Sequence, residues 1–389
     1  MNESRKILIV AAEASSCLYA QRLLQYWKAE GIQVEAFGIG NRAMAEEGFE
    51  CLGWAEELAV MGVQEIVSHF PVIKKAFYDL LDAAEKRRPQ VVLLLDYPGF
   101  NLRFAKKLKA MGIPVVYYIS PQIWAWRTGR VKLIQKIIDK MLVVFPFEKD
   151  FYSQHGVEVE FVGHPLLDEL DPRFFDLEAR DIHRAKYGIQ KDEVLLALMP
   201  GSRNSEMKHH LDAQLAAARE LQNKYPRLKV ALFVAPNFSK EQVQERLSGL
   251  DFPLMLIKDE PFSMIDLADV ILCASGTATL MVGLLEKPMV IMYRMNWLTA
   301  VMAKFFVKQT KYFGLINLVL DQRAVPELFQ EQSDHVHLVD HLSDLIQSRA
   351  RREEVAKSLA TAKDRLGNKG ATVRVAAALN QYWDGTKNA

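Results

Sequence analysis

The sequence is poor in cysteine: its 389 residues include only Cys17, Cys51 and Cys273, whose spacing fits neither a metal site nor a disulfide framework. Such a low cysteine content favours a reducing, cytoplasmic location. The chain also lacks any uncharged apolar stretch of about 18 or more residues, so we expect no membrane-spanning helix. The apolar run near the N-terminus has no small-residue cleavage site and predicts a strand, not a signal peptide.

An excess of either charge is absent as well, because 49 Lys and Arg residues balance 48 Asp and Glu residues to a formal net charge of +1. The composition therefore excludes a nucleic-acid-binding polycation, and any electrostatic attraction to a surface has to come from local patches. Half of the residues are hydrophobic, which is enough to form a core without disulfides or metals.

Short apolar runs alternate with helical patterns through residues 1–168, beginning with the strand Lys6–Ala12, a helix and the strand Val34–Ile39. Continuous apolar strands separated by helices indicate a parallel sheet covered on both faces. The alternation stops in the charged residues 169–190, which we interpret as a linker, and resumes over residues 191–365. We therefore predict an α/β protein with two doubly wound, Rossmann-like domains facing across a cleft, and a C-terminal helix, 366–389, that packs back on the N-terminal domain.

Ligands of such sheets bind beyond the carboxyl ends of the strands, so the turns that follow strands are the candidate sites. In the second domain, two turns of small residues, Gly201-Ser202 and Ser275–Thr277, each follow an apolar strand and lead into a helix. Their backbone N–H groups and the guanidinium of Arg203 together predict a site for a diphosphate. Ordinary strand–turn–helix connections are the alternative for either turn alone.

One carboxylate closes an otherwise apolar strand in the first domain, where Asp96 follows Val91–Leu95. A desolvated carboxylate at that edge has a raised pKa and is a better general base. The alternative is a helix N-cap or a carboxylate bound by the N–H groups of the next loop. His164 is open to two interpretations in the same way, as a base or ligand, or as a structural residue.

Two tryptophans, Trp124 and Trp126, lie beside Arg127 and Arg130. This combination favours either an acyl-chain or membrane-facing loop, or tryptophans packed into the domain. The segment Ala300–Lys308 also mixes apolar residues with lysines, and the two segments could form one interfacial patch.

The chain resembles the lipid-A-disaccharide synthase family, whose members are glycosyltransferases of the two-Rossmann-domain (GT-B) type. The resemblance rests on an ordered set of motifs spread over most of the chain, namely ELAVMG, LLLDYPGFN, YYISPQIWAWRTGRV, FPFEKDFY, FVGHPLLD, MPGSRNSE, ASGTATL, KPMVIMYR and the run from Asn317 to Leu328.

The resemblance implies an inverting reaction in lipid A biosynthesis of Gram-negative bacteria. UDP-2,3-diacylglucosamine is the donor, the 6-hydroxyl of 2,3-diacylglucosamine 1-phosphate (lipid X) is the nucleophile, and UDP leaves. It further implies a peripheral enzyme on the cytoplasmic face of the inner membrane, with no nucleic-acid partner and a possible homo-oligomer. No metal or cofactor is implied, and the sequence contains no Asp-x-Asp triplet, which agrees with a metal-independent mechanism.

The resemblance also assigns roles to residues of this chain. Asp96 matches the proposed catalytic base. The nucleotide and diphosphate would be bound by Gly201, Ser202, Arg203, Ser275, Gly276, Thr277, Met281, Asn317 and Arg323. The acceptor or donor sugar would be contacted by Glu13, Ser15, Ser16, Asn101, Gln122 and His164. Membrane or acyl contacts would come from Met61, Trp124, Trp126, Arg127, Arg130, Trp297, Phe305 and Phe306.

Four loops depart from the family pattern. Ser16-Cys17 stands where the family has Gly-Asp, Gly99 replaces an Asp, Met281 replaces the Glu expected to hold the UDP ribose, and Asp321-Gln322 replaces Ala-Gly. A thioether cannot accept two hydroxyl hydrogen bonds, and losing such a pair costs on the order of 1.5–3 kcal/mol. Three hypotheses follow: an active synthase with a retuned site, a diverged paralogue that uses another nucleotide-sugar donor, or a non-catalytic membrane-surface protein on the same scaffold.

Overall fold

The computed structural model describes residues 5–58, 63–123, 128–295 and 311–384. The chain divides into two compact units, the first made of Met1–Asp168 with Leu366–Ala389 and the second of Glu169–Arg365. Each unit is built around one parallel sheet with helices between its strands. The prediction of two doubly wound α/β domains is confirmed.

The first unit contains a sheet of seven strands in the order β3-β2-β1-β4-β5-β6-β7. Its central strand β4 is completely buried because helices cover both faces. The strands are β1 Arg5–Ala11, β2 Val34–Gly40, β3 Glu50–Trp54, β4 Val91–Leu95, β5 Val115–Tyr118, β6 Lys140–Val143 and β7 Val159–Phe161. The helices are α1 Ala14–Ala29, α2 Arg42–Glu46, α3 Ala55–Leu58, α4 Val63–Arg87, α5 Pro98–Ala110, α6 Val131–Ile137 and α7 Pro146–Gln154.

The second unit contains a sheet of six strands in the order β10-β9-β8-β11-β12-β13. The strands are β8 Leu195–Met199, β9 Lys229–Phe233, β10 Met255–Ile257, β11 Val270–Ala274, β12 Met289–Tyr293 and β13 Glu327–Phe329. The helices are α8 Leu177–Ala185, α9 Asn204–Lys224, α10 Lys240–Arg246, α11 Pro261–Leu267, α12 Thr277–Leu284, α13 Leu315–Leu320, α14 His335–Gln347, α15 Arg349–Ala360 and α16 Ala362–Arg365.

Two strands that the sequence pattern did not reveal lie at sheet edges. β3 and β13 each pair with a single neighbour. β3 is mostly half-exposed, and β13 has only three residues, so neither forms the long apolar run that identifies a central strand.

Residues 169–190 are not a free linker but part of the second unit. Helix α8 lies in this segment, and its Arg184 is buried. The Arg184 guanidinium donates to the Asp269 carboxylate (2.8 Å) and to the carbonyl of Glu193 (2.6 Å), while Arg180 also contacts Asp269 (2.8 Å). Burial alone would raise the pKa of Asp269, but the two guanidinium groups outweigh it and hold that pKa below its ordinary value.

The chain returns to the first unit through Leu366 and the last helix, α17 (Ala371–Asp384). The Asp168 carboxylate accepts hydrogen bonds from the backbone N–H groups of Gly370 (2.5 Å) and Thr372 (3.2 Å). The ring of Trp383 meets that of Trp27 edge-on at 5.5 Å. Among the described residues, no helix has both the length and the apolar character needed to cross a bilayer.

His164 contributes to the same junction and is buried. Its backbone N–H donates to the Leu366 carbonyl (3.3 Å), and its Nδ1 accepts from the Leu166 N–H (3.2 Å). Burial lowers the pKa of His164 to about 3, so the imidazole is neutral. These contacts favour the structural interpretation of His164 over a base or a sugar contact.

A stability difference between pH 6.5 and pH 5 should reveal this burial. Below the ordinary histidine pKa, His164 binds a proton in the unfolded chain but stays neutral in the folded protein. The contribution of this site to the free energy of unfolding is therefore present above about pH 6.5 and is lost as the pH is lowered. His164→Asn keeps an acceptor for the Leu166 N–H but does not titrate. Urea unfolding at the two pH values should show the wild type losing about 1.5 kcal/mol more than the variant over this interval. An equal loss in both proteins would contradict the burial of a neutral imidazole.

Candidate functional site

Three non-glycine residues with positive φ lie at the carboxyl edge of the first sheet. Asp96 (φ 47°) and Tyr97 (φ 48°) follow β4, and Ile119 (φ 63°) follows the neighbouring strand β5. They are three of the seven non-glycine residues with positive φ in the described part of the chain. Each such residue costs of order 1–3 kcal/mol, and strain of this kind clusters at functional sites.

Asp96 lies at the rim of this sheet and is half-buried. Its backbone N–H donates to the Tyr118 carbonyl (3.2 Å), which continues the β4–β5 pairing by one residue. The carboxylate is therefore desolvated only in part, and its role as a general base stays a prediction. The N-cap alternative is wrong, because Tyr97 occupies the N-cap position of α5 and Pro98 begins the helix.

The loop after β1 lies next to the loop after β4, since Ala11 pairs with Leu95. Strand order reverses between these two strands, which is the position where open α/β sheets bind ligands. Glu13 and Ser15 are half-buried there, whereas Ser16 is buried and its hydroxyl donates to the Glu13 carbonyl (3.1 Å). Glu13 and Ser15 are therefore accessible at this edge, where a sugar contact stays a prediction, whereas the buried Ser16 is not accessible.

Cys17 occupies the position where the family pattern has an acid. Its thiol is buried and donates to the Ala11 carbonyl (3.3 Å). Burial, helped by the charge of Glu56, raises the pKa of Cys17 to about 12, so this position carries no negative charge.

The remaining sugar-contact predictions divide in the same way. Gln122 is exposed, but Asn101 is fully buried and cannot reach a sugar. The loop that leads to Gln122 is held by Glu148, whose carboxylate accepts from the Ser120 hydroxyl (2.5 Å) and the Phe145 N–H (3.1 Å). No role was predicted for Glu148 from the sequence, although a Glu three residues after the N-cap residue, here Phe145, is the known signal for such a cap.

The first Gly/Ser turn of the second unit is closed by an internal carboxylate. Glu206 accepts from the backbone N–H groups of Ser202 (2.8 Å) and Arg203 (3.3 Å) and from the Arg203 guanidinium (3.0 Å). Gly201 (φ 128°) is required here, because a Cβ on it would lie 2.4 Å from the Cβ of Glu206. These donors are already satisfied within the protein, which differs from the predicted open cradle.

The second turn is open. Gly276 and Thr277 are exposed, and no side chain of the described residues caps helix α12 at Gly276 (φ 152°). Ser275 donates to the Phe313 carbonyl (3.0 Å), and Met281 lies half-buried on the first turns of α12. The two turns are neighbours at the reversal of strand order, because β8 pairs with β11.

Asn317 is not a nucleotide contact but a buried structural residue. Its amide donates to the Glu327 carboxylate (2.9 Å) and accepts from the Val325 N–H (3.1 Å). Glu327 in turn accepts from the Gly314 N–H (2.9 Å). Arg323 is exposed and remains accessible.

A residue with no predicted role, His210, joins two strand ends of this sheet. Its Nδ1 lies 2.8 Å from the Pro200 carbonyl, and its Nε2 lies 3.0 Å from the Arg294 N–H. Burial lowers the pKa of His210, which keeps the ring neutral for this pair of bonds.

The predicted membrane and acyl contacts lie mostly outside the described residues. This applies to Met61, Trp124, Trp126, Arg127, Trp297, Phe305 and Phe306. Arg130 is described, is half-buried and ends a short 3-10 turn before α6.

Solved structures with this fold share little sequence with the chain. A UDP-GlcNAc 2-epimerase from Neisseria meningitidis, solved with UDP-GlcNAc bound, aligns with a TM-score of 0.63 and 16% identity over 97% of this chain and 100% of that one. The calicheamicin glycosyltransferase aligns with a TM-score of 0.58 and 14% identity over 98% and 99%. These likenesses show the fold alone.

Sequence comparison is more specific. The family model of lipid-A-disaccharide synthetase matches residues 7–379. Lipid-A-disaccharide synthase from Myxococcus xanthus is 37% identical over 376 residues, 97% of each chain, and lipid-A-disaccharide synthase 1 from Legionella pneumophila is 35% identical over 371 residues, 95% of each. The chain therefore belongs to the lipid-A-disaccharide synthase family and is a hexosyltransferase of the GT-B fold.

Proposed function

We propose that this protein condenses UDP-2,3-diacylglucosamine with 2,3-diacylglucosamine 1-phosphate to the β-1′,6-linked disaccharide 1-phosphate and UDP. Family membership supports the reaction class. The observation that carries the mechanism is Asp96, a half-buried carboxylate held in strained backbone at the strand-order reversal of the first sheet.

In the proposed mechanism Asp96 acts as the general base. Its carboxylate takes the proton from the acceptor 6-hydroxyl as that oxygen bonds to the anomeric carbon of the donor and the bond from that carbon to the UDP oxygen breaks. Attack from the face opposite UDP inverts the anomeric centre. A positioned base of this kind contributes typically 10²–10⁴-fold to the rate.

The second unit is proposed to stabilise the departing diphosphate. The exposed start of α12 at Gly276 and Thr277 offers backbone N–H groups and the positive end of a helix dipole. The Arg203 guanidinium can add charge, although it must share its donors with Glu206. No metal or cofactor enters the proposed reaction.

Charge distribution in the first unit supports peripheral binding to an anionic membrane surface, which we propose to be the cytoplasmic face of the inner membrane. Between Asp96 and Asp139 the sequence has no Asp or Glu. The outward faces of α5 and α6 expose basic side chains and one apolar side chain, namely Arg103, Lys106, Lys107, Lys132, Lys136 and Leu133. Each cation near an anionic surface contributes about 1 kcal/mol.

A diverged paralogue with another nucleotide-sugar donor is the second candidate. Met281 and the uncharged Cys17 favour it, because both stand where the family pattern has an acid. The third candidate, a non-catalytic membrane-surface protein on this scaffold, predicts no turnover of the two substrates.

The Asp96→Asn variant tests the base. We expect disaccharide and UDP release from the two diacylglucosamine substrates to fall by about 10²–10⁴-fold, because the amide cannot take the proton, while UDP affinity is unchanged. Asp150→Asn, at an exposed acid of the same unit, is the control and should retain activity. Unimpaired turnover by Asp96→Asn would remove Asp96 as the base. Wild-type protein that binds UDP without turnover would indicate the paralogue, and liposome binding alone would indicate the non-catalytic protein.

Met281→Glu tests the nucleotide site. A carboxylate at this position on α12 can accept both ribose hydroxyls, so UDP binding measured by calorimetry should tighten by about tenfold or more. Met281→Leu has a similar size and no acceptor, and should bind UDP like the wild type. Equal affinities for all three proteins would mean that the ribose is held elsewhere.

A further inference from the structure

The peptide group that follows Asp96 is held by two buried side chains. The carbonyl of Asp96 accepts from the Tyr117 hydroxyl (2.5 Å) and from Nδ2 of Asn101 (2.6 Å). Tyr117 lies on the neighbouring strand β5 and Asn101 on helix α5, and both residues are fully buried. Two elements of the fold therefore converge on one backbone oxygen.

The orientation of the Asp96 carbonyl oxygen is coupled to the backbone conformation of Asp96 and Tyr97. Its orientation depends on ψ of Asp96 and φ of Tyr97, so two donors that fix the carbonyl hold both residues near their left-handed values. Without such restraint a non-glycine residue leaves this region readily, because the β and right-handed regions are lower in energy. Rotation of the Asp96 backbone would move its carboxylate.

The chemistry of the two donors suits this task. Burial, together with the charge of Asp96, raises the pKa of Tyr117 well above its ordinary value, so the hydroxyl keeps its proton and remains a donor. Asn101 also donates to the Leu95 carbonyl (3.1 Å), whereas its Oδ1 has no hydrogen-bond partner within the described residues. Because a buried acceptor without a partner is unfavourable, the favourable contacts of the Asn101 side chain are those that its Nδ2 N–H groups donate.

We propose that Tyr117 and Asn101 are positioning residues that hold the Asp96 carboxylate where it accepts the acceptor proton. The inference rests on the proposed function, in which Asp96 is the base. It corrects the prediction that Asn101 contacts a sugar. It also gives a role to Tyr117, which the sequence pattern of a buried apolar strand does not indicate.

Tyr117→Phe removes only the hydroxyl, and Tyr152→Phe is its matched control. Tyr152 is also fully buried, and its hydroxyl donates to the Pro121 carbonyl (3.4 Å) instead of to Asp96. We expect kcat of Tyr117→Phe to fall about 10- to 100-fold, because a small displacement of a catalytic group is enough for such a loss, with little change in KM for either substrate. Tyr152→Phe should lose about threefold or less in kcat. Its melting temperature should nevertheless fall by about as much as that of Tyr117→Phe.

Asn101→Leu provides a second variant of similar volume, and UDP affinity and far-UV circular dichroism confirm that each protein is folded at the assay temperature. A selective loss of kcat in Tyr117→Phe, or in Asn101→Leu if Tyr117→Phe does not fold, supports the proposal. A kcat in the folded variants that matches Tyr152→Phe, or a loss confined to KM, overturns it. Failure of the proposed function is separate, since it appears as an inactive wild type or an active Asp96→Asn.

Discussion

Parallel pairing of the strands is the constraint on which the rest of the structure depends. Because neighbouring strands in each sheet run the same way, their carboxyl ends meet at one edge, and the helices that follow begin there. Strand order reverses between β1 and β4 in the first sheet and between β8 and β11 in the second. The loops diverge at these two places, which hold Asp96 in one unit and the two Gly/Ser turns in the other.

Internal carboxylates then give these loops a fixed shape. Glu148, Glu206 and Glu327 each accept at least one backbone N–H from a loop at the carboxyl edge of a sheet. A carboxylate in this position does what a bound anion would do, and it orders the loop before any substrate arrives. The same contact withdraws donors from a ligand, which is why the exposed start of α12, and not the turn that Glu206 occupies, is the proposed phosphate site.

The sequence predicted most of the fold because central strands of a parallel sheet are continuous apolar runs. It did not predict β3 or β13, which lie at the edges, nor the packing of residues 169–190 through Arg184. Candidate loops were found because small residues and a lone carboxylate after a strand are local signals. The burial of Ser16, Asn101 and Asn317 was not predicted, because a polar residue after a strand looks the same whether it faces solvent or a partner such as Glu327.

The departures from the family pattern differ in what they can change. Gly99 is exposed and has open space where a side chain would begin, Asp321-Gln322 is exposed, and the Cys17 thiol is satisfied by the Ala11 carbonyl. Met281 alone lies on the helix proposed to bind the nucleotide. A ribose contact is made equally in the ground state and the transition state, so its loss weakens substrate binding without raising the chemical barrier. Altered nucleotide affinity with a preserved reaction is therefore the physical expectation, provided that Tyr117 and Asn101 still hold Asp96.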